Sequence, residues 1–418
     1  MDGSLMRFID EVGSEYCGKL SRDFEVSKIL KSKQGSKTAQ TFHVENVMQI
    51  SSGNVVDSKE KVLKALHVNN VEEAYNKLLD SFSKKGELKF VGEPKLKEGS
   101  LKDLPFVKFY EKDGGYYLTS SIIISCYEGI CNASIHRIML LNEKEAAVRI
   151  VPRHLYYLYN EALKHGEMLP VTVIIGVHPA IVLASSHSPP LGYFELEAAS
   201  NILGSLEVYN SPIHKNPIPY GTGAIIEGFI SEKMADEGPF VEAMGGYDKV
   251  RKQPILIANK VYVNPDETSH IILPGGYEHA VLMGFPREAS IYNAVSKVVP
   301  KVHGVNLTYN SGGWLHAIIS IEKNHDGDAK NAILAAFSAH PSLKHVVVVD
   351  PDINIYDIND VEWAIATRFQ ADKNLVIVNN ARGSTLDPSA KDGLTSKMGI
   401  DATKPINGGI EFERAKIP

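Results

Sequence analysis

Two groups of residues, spread over four short motifs, could do chemistry together. The motifs are NASIHR at 132–137, VPRH at 151–154, FELE at 194–197 and DEGPFVE at 236–242. The first group combines the amide oxygen of Asn132, an imidazole nitrogen of His154 and the carboxylate of Glu195. This mixed set of oxygen and nitrogen donors suits Mn²⁺ or Mg²⁺ and leaves coordination positions for phosphate oxygens. The three residues therefore predict a divalent metal site that also meets a phosphate.

The second group consists of one arginine and two glutamates. Glu242 follows Glu237 by five residues across Gly238 and Pro239, so the turn can bring both carboxylates to Arg137. An arginine with a carboxylate on either side is a positioned cation, and its neighbouring acid can have its pKa tuned for proton delivery. This group predicts an acid–base site built around one guanidinium.

Each residue taken alone also fits a simpler interpretation. His154 can be a helix-start residue bonded to the backbone, and Glu195 can point outward beside Glu197. Glu237 and Glu242 can belong to an acidic surface loop. Single perturbed groups are often structural rather than catalytic. The hypothesis of a site therefore depends on the two groups occurring together.

Positioning these motifs requires a sheet-rich middle of the chain. Short β-branched runs between about 105 and 285 are separated by Gly, Pro and Asn and predict strands, and two apolar patterns ending at Gly166 and Gly204 predict helices. PREASIYNAVSKVVP then predicts a connecting helix. The runs from GWLHAIISIEK to KNLVIVNN alternate strand and helix, as in βαβ units.

The predicted fold class is α/β (α+β), with a bent, split β-barrel-like sheet in the middle of the chain and a C-terminal βαβ domain. The predicted organisation is an N-terminal α/β segment packed on the core (1–100), the split-barrel domain (101–285), the connecting helix (286–300) and the C-terminal α/β domain (301–418).

Length and composition are those of an ordinary soluble enzyme. The chain has 418 residues, of which 44% are hydrophobic and 22% charged, and its formal net charge is −6. This balance gives no general reason to bind nucleic acid or an acidic membrane surface, and no stretch reads as a membrane span. The N-terminus lacks the apolar core of a secretory signal. Three cysteines, Cys17, Cys126 and Cys131, are too few for a disulfide framework, which predicts reduced thiols and a cytoplasmic location.

The order of the motifs resembles one family. NASIHR, VPRH, ASSHSPP followed by Glu195, DEGPFVE, DVEWAIATR and TSKMGIDAT occur in the order found in the UbiD family of prenylated-FMN decarboxylases, over roughly residues 100–403. The length is closest to the archaeal branch, which resembles the anhydromevalonate phosphate decarboxylases of isoprenoid synthesis. The order of six motifs is more specific than any one of them.

The resemblance implies a role for each matching residue. Arg137, Glu237 and Glu242 match the catalytic network, with Glu242 as the acid that protonates the product carbon. Asn132, His154 and Glu195 match the ligands of the divalent metal, usually manganese. The residues that would contact prenylated FMN are Asn132, Ser134, Ile135, His136, Arg137, Arg153, His154, Ser185 and Lys397. A potassium ion would be held by Ala184, Ser185, His187 and Glu195.

Three positions depart from the pattern of some relatives. Ile130 stands where those relatives carry Trp, His187 where they carry Met, and Arg153 where aromatic-acid relatives carry Gln. A second guanidinium near the substrate would favour a substrate with a second anion such as a phosphate.

The implied function is reversible, non-oxidative decarboxylation of an α,β-unsaturated acid, with trans-anhydromevalonate 5-phosphate as the best match. The alternatives are decarboxylation of an aromatic acid of the 4-hydroxybenzoate or polyprenyl-hydroxybenzoate type, a metal-dependent hydrolase, and a non-catalytic flavin binder. The implied partners are a small carboxylic acid substrate, a flavin prenyltransferase that supplies the cofactor, and further copies of the chain in a dimer or hexamer.

Overall fold

The N-terminal part of the chain alternates short helices and strands. In the computed structural model, which describes residues 2–187 and 189–415, these elements are α1 (Leu5–Val12), β1 (Ser14–Leu20), α2 (Glu25–Ser32), β2 (Ala39–Val44), β3 (Ile50–Gly53), α3 (Lys59–Ala65) and α4 (Val71–Ser81). The chain folds as two units: residues up to 70 join residues 77–282, and residues 71–76 join those from 283 onwards. The N-terminal segment therefore belongs to the same unit as the motifs from NASIHR to DEGPFVE.

A nine-stranded sheet dominates the first unit. The elements around it are β4 (Leu88–Phe90), β5 (Lys97–Gly99), β6 (Tyr117–Leu118), β7 (Ile122–Tyr127), β8 (Ile130–Ile135), β9 (Ile138–Leu140), β10 (Glu145–Val148), α5 (His154–Lys164), β11 (Leu169–Ile175), α6 (Pro179–Ser186), α7 (Glu195–Leu203), β12 (Leu206–Asn210), β13 (Pro217–Pro219), β14 (Ala224–Glu237), β15 (Phe240–Val241), β16 (Tyr247–Asp248), β17 (Arg251–Val263) and β18 (Ser269–His270). The strand order is β6-β9-β10-β17-β14-β11-β7-β8, with β5 beside β17. The mixed α/β class is confirmed, but in the described residues the sheet stays open and does not close into a barrel.

Smaller sheets flank this large one. β1, β2, β3 and β18 form a four-stranded sheet, and β13, β12 and β4 form a three-stranded sheet. β15 and β16 pair with each other as a short ribbon. That ribbon follows the end of β14 directly, so it positions the second half of the DEGPFVE motif.

Continuous apolar runs form the buried strands of the large sheet. Ile122, Ile123 and Ile124 of β7 are all fully buried, as expected of a strand covered on both faces. β14 and β17 are long antiparallel neighbours with a register irregularity at Gly228. A Cβ at Gly228 would lie 2.2 Å from the carbonyl oxygen of Ile257, so the close approach of the two strands requires glycine there.

Three helices carry candidate residues at their ends. α5 begins at His154 and α7 begins at Glu195. α6 is buried from Pro179 to Ser185, and the side chain of His178 accepts a hydrogen bond from its first turn. α7 ends at Gly204 with φ 80°, as the sequence predicts. Among the helices of residues 2–187 and 189–415, none combines the length and apolar character needed to cross a membrane.

The second unit contains a five-stranded sheet. Its elements are the later part of α8 (Tyr277–Val295), then β19 (Lys301–Leu307), β20 (His316–Glu322), α9 (Asp328–Ala339), β21 (His345–Val349), α10 (Ile358–Arg368), α11 (Ala371–Asn374), β22 (Leu375–Arg382) and β23 (Leu394–Ala402). The order is β19-β20-β21-β23-β22, with β20, β21 and β23 parallel. The βαβ prediction is confirmed, but KNLVIVNN forms an edge strand antiparallel to β23, and TSKMGIDA supplies the third parallel strand.

The connecting helix begins earlier than the sequence predicts. α8 spans Tyr277–Val295, whereas the predicted helix covers 286–300. The prediction takes Pro286 as the first helical residue, the position that proline favours, but Pro286 lies inside the helix. Ser290 donates a hydrogen bond from its hydroxyl to the carbonyl oxygen of Pro286 at 3.1 Å. The change of unit along the chain, between residues 282 and 283, falls within α8.

Two of the three cysteines are paired, so the prediction of reduced thiols is wrong. β7 and β8 form a hairpin whose two loop residues, Glu128 and Gly129, both have positive φ. The register places Cys126 opposite Cys131, and their sulfurs form a disulfide, while Cys17 is a free thiol. The number of cysteines alone does not show which residues lie opposite each other in the two strands. The cysteines therefore give no argument for a reducing compartment.

A buried ion pair ties α3 to the loop before it. The ammonium of Lys61 donates to Asp57 Oδ1 at 2.7 Å, to the carbonyl of Asn54 at 2.7 Å and to that of Thr38 at 3.1 Å. The two charged side chains are only 4% and 0% exposed. Gly35 donates its backbone N–H to the other carboxylate oxygen at 2.7 Å. Because every charged hydrogen of Lys61 has an acceptor, the pair is stable only while both partners are present.

We expect Lys61→Met to lower the free energy of unfolding by about 3–5 kcal/mol, because it leaves the carboxylate of Asp57 buried without its cation. Chemical denaturation measures this loss. Lys64→Met on the exposed side of the same helix is the matched control and should change stability by less than about 0.5 kcal/mol. Equal stability of the two variants would contradict the role given to the ion pair.

Candidate active site

β8 carries the first predicted metal ligand into the interior. Asn132 is 2% exposed, and its amide nitrogen donates to Glu195 Oε1 at 2.8 Å. The backbone N–H of Ala133 donates to Glu195 Oε2 at 2.7 Å. Glu195 is itself only 1% exposed. The start of α7 therefore faces β8, and the interpretation of Glu195 as an outward-pointing surface residue is wrong.

His154 lies next to this pair. Its Nδ1 is 4.0 Å from Glu195 Oε1. Within the described residues, no group of three His, Cys, Asp or Glu side chains could hold a metal ion. The predicted set contains only two such residues and takes its third donor from the amide of Asn132. The structure thus brings Asn132, His154 and Glu195 together as the sequence predicts.

A shared hydroxyl proton leaves one oxygen of this set with capacity for a cation. Ser134 Oγ lies 2.8 Å from both Asn132 Oδ1 and His136 Nε2. His136 Nδ1 lies 2.9 Å from the carbonyl oxygen of Arg149, which can only accept, so Nδ1 carries the ring proton. Burial lowers the pKa of His136 to about 4, so the ring is neutral and Nε2 is an acceptor. One hydroxyl proton cannot serve both acceptors at once, so Asn132 Oδ1 can accept a cation whenever Ser134 donates to His136.

The second predicted group is an arginine held between two carboxylates, here called the Arg137 clamp (Arg137, Glu237 and Glu242). Arg137 donates from Nε and Nη2 to the two oxygens of Glu237 at 2.8 and 2.9 Å, and from Nη1 to Glu242 at 2.6 Å. The planar guanidinium matches a carboxylate through such parallel bonds. It also lies over the ring of Phe240, 4.5 Å from the centroid. The structure therefore brings all three predicted residues into direct contact.

The backbone of one turn positions both carboxylates of the clamp. Glu237 ends β14, and the Gly238–Pro239 peptide bond that follows is cis. Gly114 donates its backbone N–H to the carbonyl of Pro239 at 2.8 Å. A Cβ at Gly114 would lie 1.9 Å from the carbonyl oxygen of Gly238, so only glycine allows the turn to pack there. Local sequence patterns do not reveal the role of Gly114, because its partner Gly238 is more than a hundred residues away.

Burial and neighbouring charges set the protonation of the clamp. Burial raises the pKa of Glu242, and Asp248 adds to this rise while Arg137 opposes it. Burial also acts to raise the pKa of Asp248, but the hydrogen bond and charge of Arg251 outweigh burial and lower it. For Arg137 burial acts to lower the pKa, yet the carboxylates raise it. Glu242 is therefore disposed to keep its proton beside a guanidinium that stays charged.

Asp248 and Arg251 belong to this cluster although the sequence analysis does not single them out. Asp248 Oδ2 lies 3.4 Å from Nη2 of Arg137, and Arg251 donates to the two oxygens of Asp248 at 2.6 and 3.2 Å. Arg251 is also directly opposite Glu237 in the pairing of β14 with β17. In the sequence, the D-x-x-R spacing of Asp248 and Arg251 shortly after Glu242 is the pattern that could have indicated this ion pair.

The segment predicted to bind potassium forms the end of α6. Ala184 and Ser185 are buried, and the carbonyl of Ala184 accepts the backbone N–H of His187 at 3.2 Å. In the part of the chain that the structure describes, the buried hydroxyl of Ser185 has no hydrogen-bond partner. The ring of His187 stacks on Phe82 with centroids 4.4 Å apart. The potassium ligands, including Glu195, stay a prediction.

Three other predicted cofactor contacts lie outside these hydrogen-bonded groups. Ile135 ends β8, half-buried and opposite Ile122. Arg153 is exposed and is the residue that precedes α5. Lys397 belongs to the second unit, where its ammonium donates to the carbonyl oxygens of Pro341 and Leu343. Contact of these three residues with a cofactor stays a prediction.

The two halves of the chain match two domains of one enzyme family. Residues 82–277 match the Rift-related domain of 3-octaprenyl-4-hydroxybenzoate carboxy-lyase, UbiD. Residues 280–402 match the C-terminal domain of the same carboxy-lyase. The first match contains every residue of the Arg137 clamp and of the predicted divalent metal set.

Several archaeal proteins are similar along the whole chain. A protein from Aeropyrum pernix named anhydromevalonate phosphate decarboxylase is 52% identical, with 100% of this chain and 96% of that protein covered. A protein of the same name from Methanocaldococcus jannaschii is 42% identical, with 99% and 100% covered.

Solved structures show the same fold. The UbiD-class enzyme HmfF from Pelotomaculum thermopropionicum in complex with FMN is 35% identical, with a TM-score of 0.94 over 99% of this chain and 97% of that one. An evolved dimeric form of that enzyme in complex with prFMN is 32% identical, with a TM-score of 0.91 over 100% and 97%. With both domains matched in order and full-length relatives well above 30% identity, this chain belongs to the UbiD family and is a carboxy-lyase.

Proposed function

We propose that this protein decarboxylates trans-anhydromevalonate 5-phosphate, an α,β-unsaturated acid, in isoprenoid (mevalonate) biosynthesis, without net oxidation and with prenylated FMN bound. The archaeal relatives named for this substrate support the proposal, since they match nearly the whole chain at 52% and 42% identity. A gallate decarboxylase from Lactiplantibacillus plantarum is 30% identical over 73% of this chain. The higher identity and coverage of the archaeal relatives favour the phosphorylated unsaturated acid over an aromatic acid as the substrate.

The observation that carries the proposed reaction is the Arg137 clamp. Arg137 donates hydrogen bonds from Nε and Nη2 to Glu237 and one from Nη1 to Glu242, which fixes the guanidinium. The second N–H of Nη1 is not used in these bonds. A substrate carboxylate can bind there. A protein that only carried flavin would have no use for a fixed cation beside a carboxyl group whose pKa is raised.

The proposed cofactors have residues of suitable chemistry. Asn132, His154 and Glu195 would hold Mn²⁺ or Mg²⁺. Asn132 Oδ1 shares one hydroxyl proton with His136 Nε2, and this supports the assignment, because the oxygen keeps capacity for a cation. Prenylated FMN, when bound, supplies the electron sink that no amino-acid side chain offers. The FMN and prFMN of the HmfF structures support a flavin here. The flavin would contact Asn132, Ser134, Ile135, His136, Arg137, Arg153, His154, Ser185 and Lys397, and K⁺ would be held by Ala184, Ser185, His187 and Glu195.

Each residue of the clamp has one task in the proposed reaction. Arg137 binds the scissile carboxylate, and Glu237 fixes the plane of its guanidinium. The bond between the substrate carbon and its carboxylate breaks and CO₂ leaves without the bonding electron pair, for which the flavin would serve as the electron sink. Glu242 then transfers its proton to the carbon that lost CO₂, so a C–H bond replaces the C–C bond. Solvent returns the proton to Glu242.

Two partners follow from this proposal. A flavin prenyltransferase must supply the modified cofactor. The chain would also act as a homo-oligomer, a dimer or hexamer; the dimeric form of HmfF supports self-association of this fold.

The substrate is tested with protein purified from a host that makes prenylated FMN. We expect faster CO₂ release from trans-anhydromevalonate 5-phosphate than from gallate or cinnamate at equal concentration. Mass spectrometry of the released flavin confirms the cofactor in the same preparation. Faster turnover of either aromatic acid would overturn the proposed substrate.

His154→Ala should remove the divalent metal and reduce the retained cofactor together, because the ion would bridge protein and phosphate. Elemental analysis and flavin absorbance of the purified protein measure both losses. His165→Ala, just after the same helix on its exposed side, is the control and should retain both. Full metal and cofactor content in His154→Ala would show that the ligand assignment is wrong.

Glu242→Gln should lower kcat by about 10²-fold or more, because the amide keeps the shape and hydrogen bonding but cannot deliver an acid proton. Cofactor and metal content should not change. Glu237→Gln keeps the proton donor, so its kcat should fall less. The kcat of Arg137→Ala should fall at least as much as that of Glu242→Gln. If Glu242→Gln turns over like the parent while Glu237→Gln is inactive, the two roles must be exchanged.

Asp248→Asn should move the alkaline limb of the kcat–pH profile to lower pH. Asp248 helps to raise the pKa of Glu242, so its neutralisation lowers that pKa. The proton donor exists below its pKa, and kcat therefore falls as pH rises through it. Asp236→Asn, exposed on β14, should leave the limb in place. An unmoved limb in Asp248→Asn would contradict the coupling.

A further inference from the structure

Arg149 lies directly opposite Arg137 but has no place in the reaction described above. β10 and β9 pair Val148 with Ile138, and the backbone N–H of Arg149 donates to the carbonyl of Arg137 at 3.1 Å, which continues the same pairing by one residue. Side chains of directly opposed residues lie on the same face of a sheet, with Cβ atoms about 5 Å apart. The side chain of Arg149 therefore projects on the same side as the guanidinium of the clamp.

A third arginine lies close by. The pairing of β10 with β17 matches Ala147 with Ile255, so Gln253 falls opposite Arg149 and Arg251 lies two residues further on the same face. Arg251 is occupied by Asp248, and Arg137 by the two glutamates. The guanidinium of Arg149, by contrast, is half-buried and makes no hydrogen bond or ion pair with the residues at 2–187 and 189–415.

Leaving this cation without a partner has a cost. Like charges at directly opposed positions destabilise a sheet. Burial, followed by the charges of Arg137 and Arg251, lowers the pKa of Arg149, although Asp248 and Glu237 oppose this. Three arginines face the carboxylates of Glu237, Glu242 and Asp248. An anionic ligand would remove both the repulsion and the unpaired donors.

The position of Arg149 decides which anion this is. The charges that act on Arg149 are those of Arg137, Arg251, Asp248 and Glu237, which all belong to the cluster around the Arg137 clamp, where the substrate would bind. The scissile carboxylate already has its site on Arg137. We propose that Arg149 binds the second anionic group of the substrate, its phosphate, and so selects phosphorylated acids; this rests on the proposed function.

The test compares two substrates that differ only in the phosphate, trans-anhydromevalonate 5-phosphate and trans-anhydromevalonate. In Arg149→Gln, the KM for the phosphorylated acid should rise about 10- to 100-fold, the scale of a lost charge-assisted contact. The kcat/KM for the unphosphorylated acid should stay within about twofold of the parent value. Arg149→Lys should recover part of the preference, and flavin content and thermal unfolding should match the parent in both variants.

Arg382→Gln is the matched control, since it removes an exposed arginine from β22 in the second unit, and it should leave both substrates unaffected. Suppose that the parent enzyme prefers the phosphorylated acid. If Arg149→Gln then keeps the parent kcat/KM on both substrates, or loses the same factor on both, the role given to Arg149 is wrong while the proposed function stands. A parent enzyme that does not turn over the phosphorylated acid overturns the proposed function and this inference with it.

Discussion

Burying one guanidinium is the constraint on which the rest of the first unit depends. A buried cation is stable only with compensating carboxylates, and Arg137 donates two hydrogen bonds to Glu237 and one to Glu242. To deliver both from one turn, β14 must extend to Glu237, and the Gly238–Pro239 turn must pack closely on Gly114. The same burial raises the pKa of Glu242. Stability and acid chemistry therefore come from the same contacts.

The NASIHR segment joins this acid cluster to the proposed metal site. Asn132 contacts Glu195 at one end, and Arg137 forms the clamp at the other. Between them Ser134 and His136 connect by hydrogen bonds, and His136 continues to the carbonyl of Arg149. Neutral hydrogen-bonding groups thus connect the proposed metal end with the strand pair that carries Arg137. This continuity is why one six-residue segment carries so much of the proposed site.

The sequence contains the identities of the reacting groups but not their cross-strand neighbours. Local spacing was enough to predict the glutamate turn, and residue chemistry was enough to group Asn132 with His154 and Glu195. Strand register was not available, so the opposition of Cys126 with Cys131, and of Arg149 with Arg137, could not be predicted. The start of α8 cannot be read from the sequence, because a proline inside a helix gives the same signal as a proline at the first helical position. β23 gives no clear strand signal, because Lys397 and its neighbours lack a long apolar run.

The central claim is that Glu242 keeps a proton beside a charged Arg137. Infrared difference spectroscopy of the cofactor-bound protein measures it most directly, through the carbonyl stretch of a protonated carboxyl group at neutral pH. The account predicts that this band is present in the parent and in Glu237→Gln and disappears in Glu242→Gln. A band that survives in Glu242→Gln and vanishes in Glu237→Gln would contradict it.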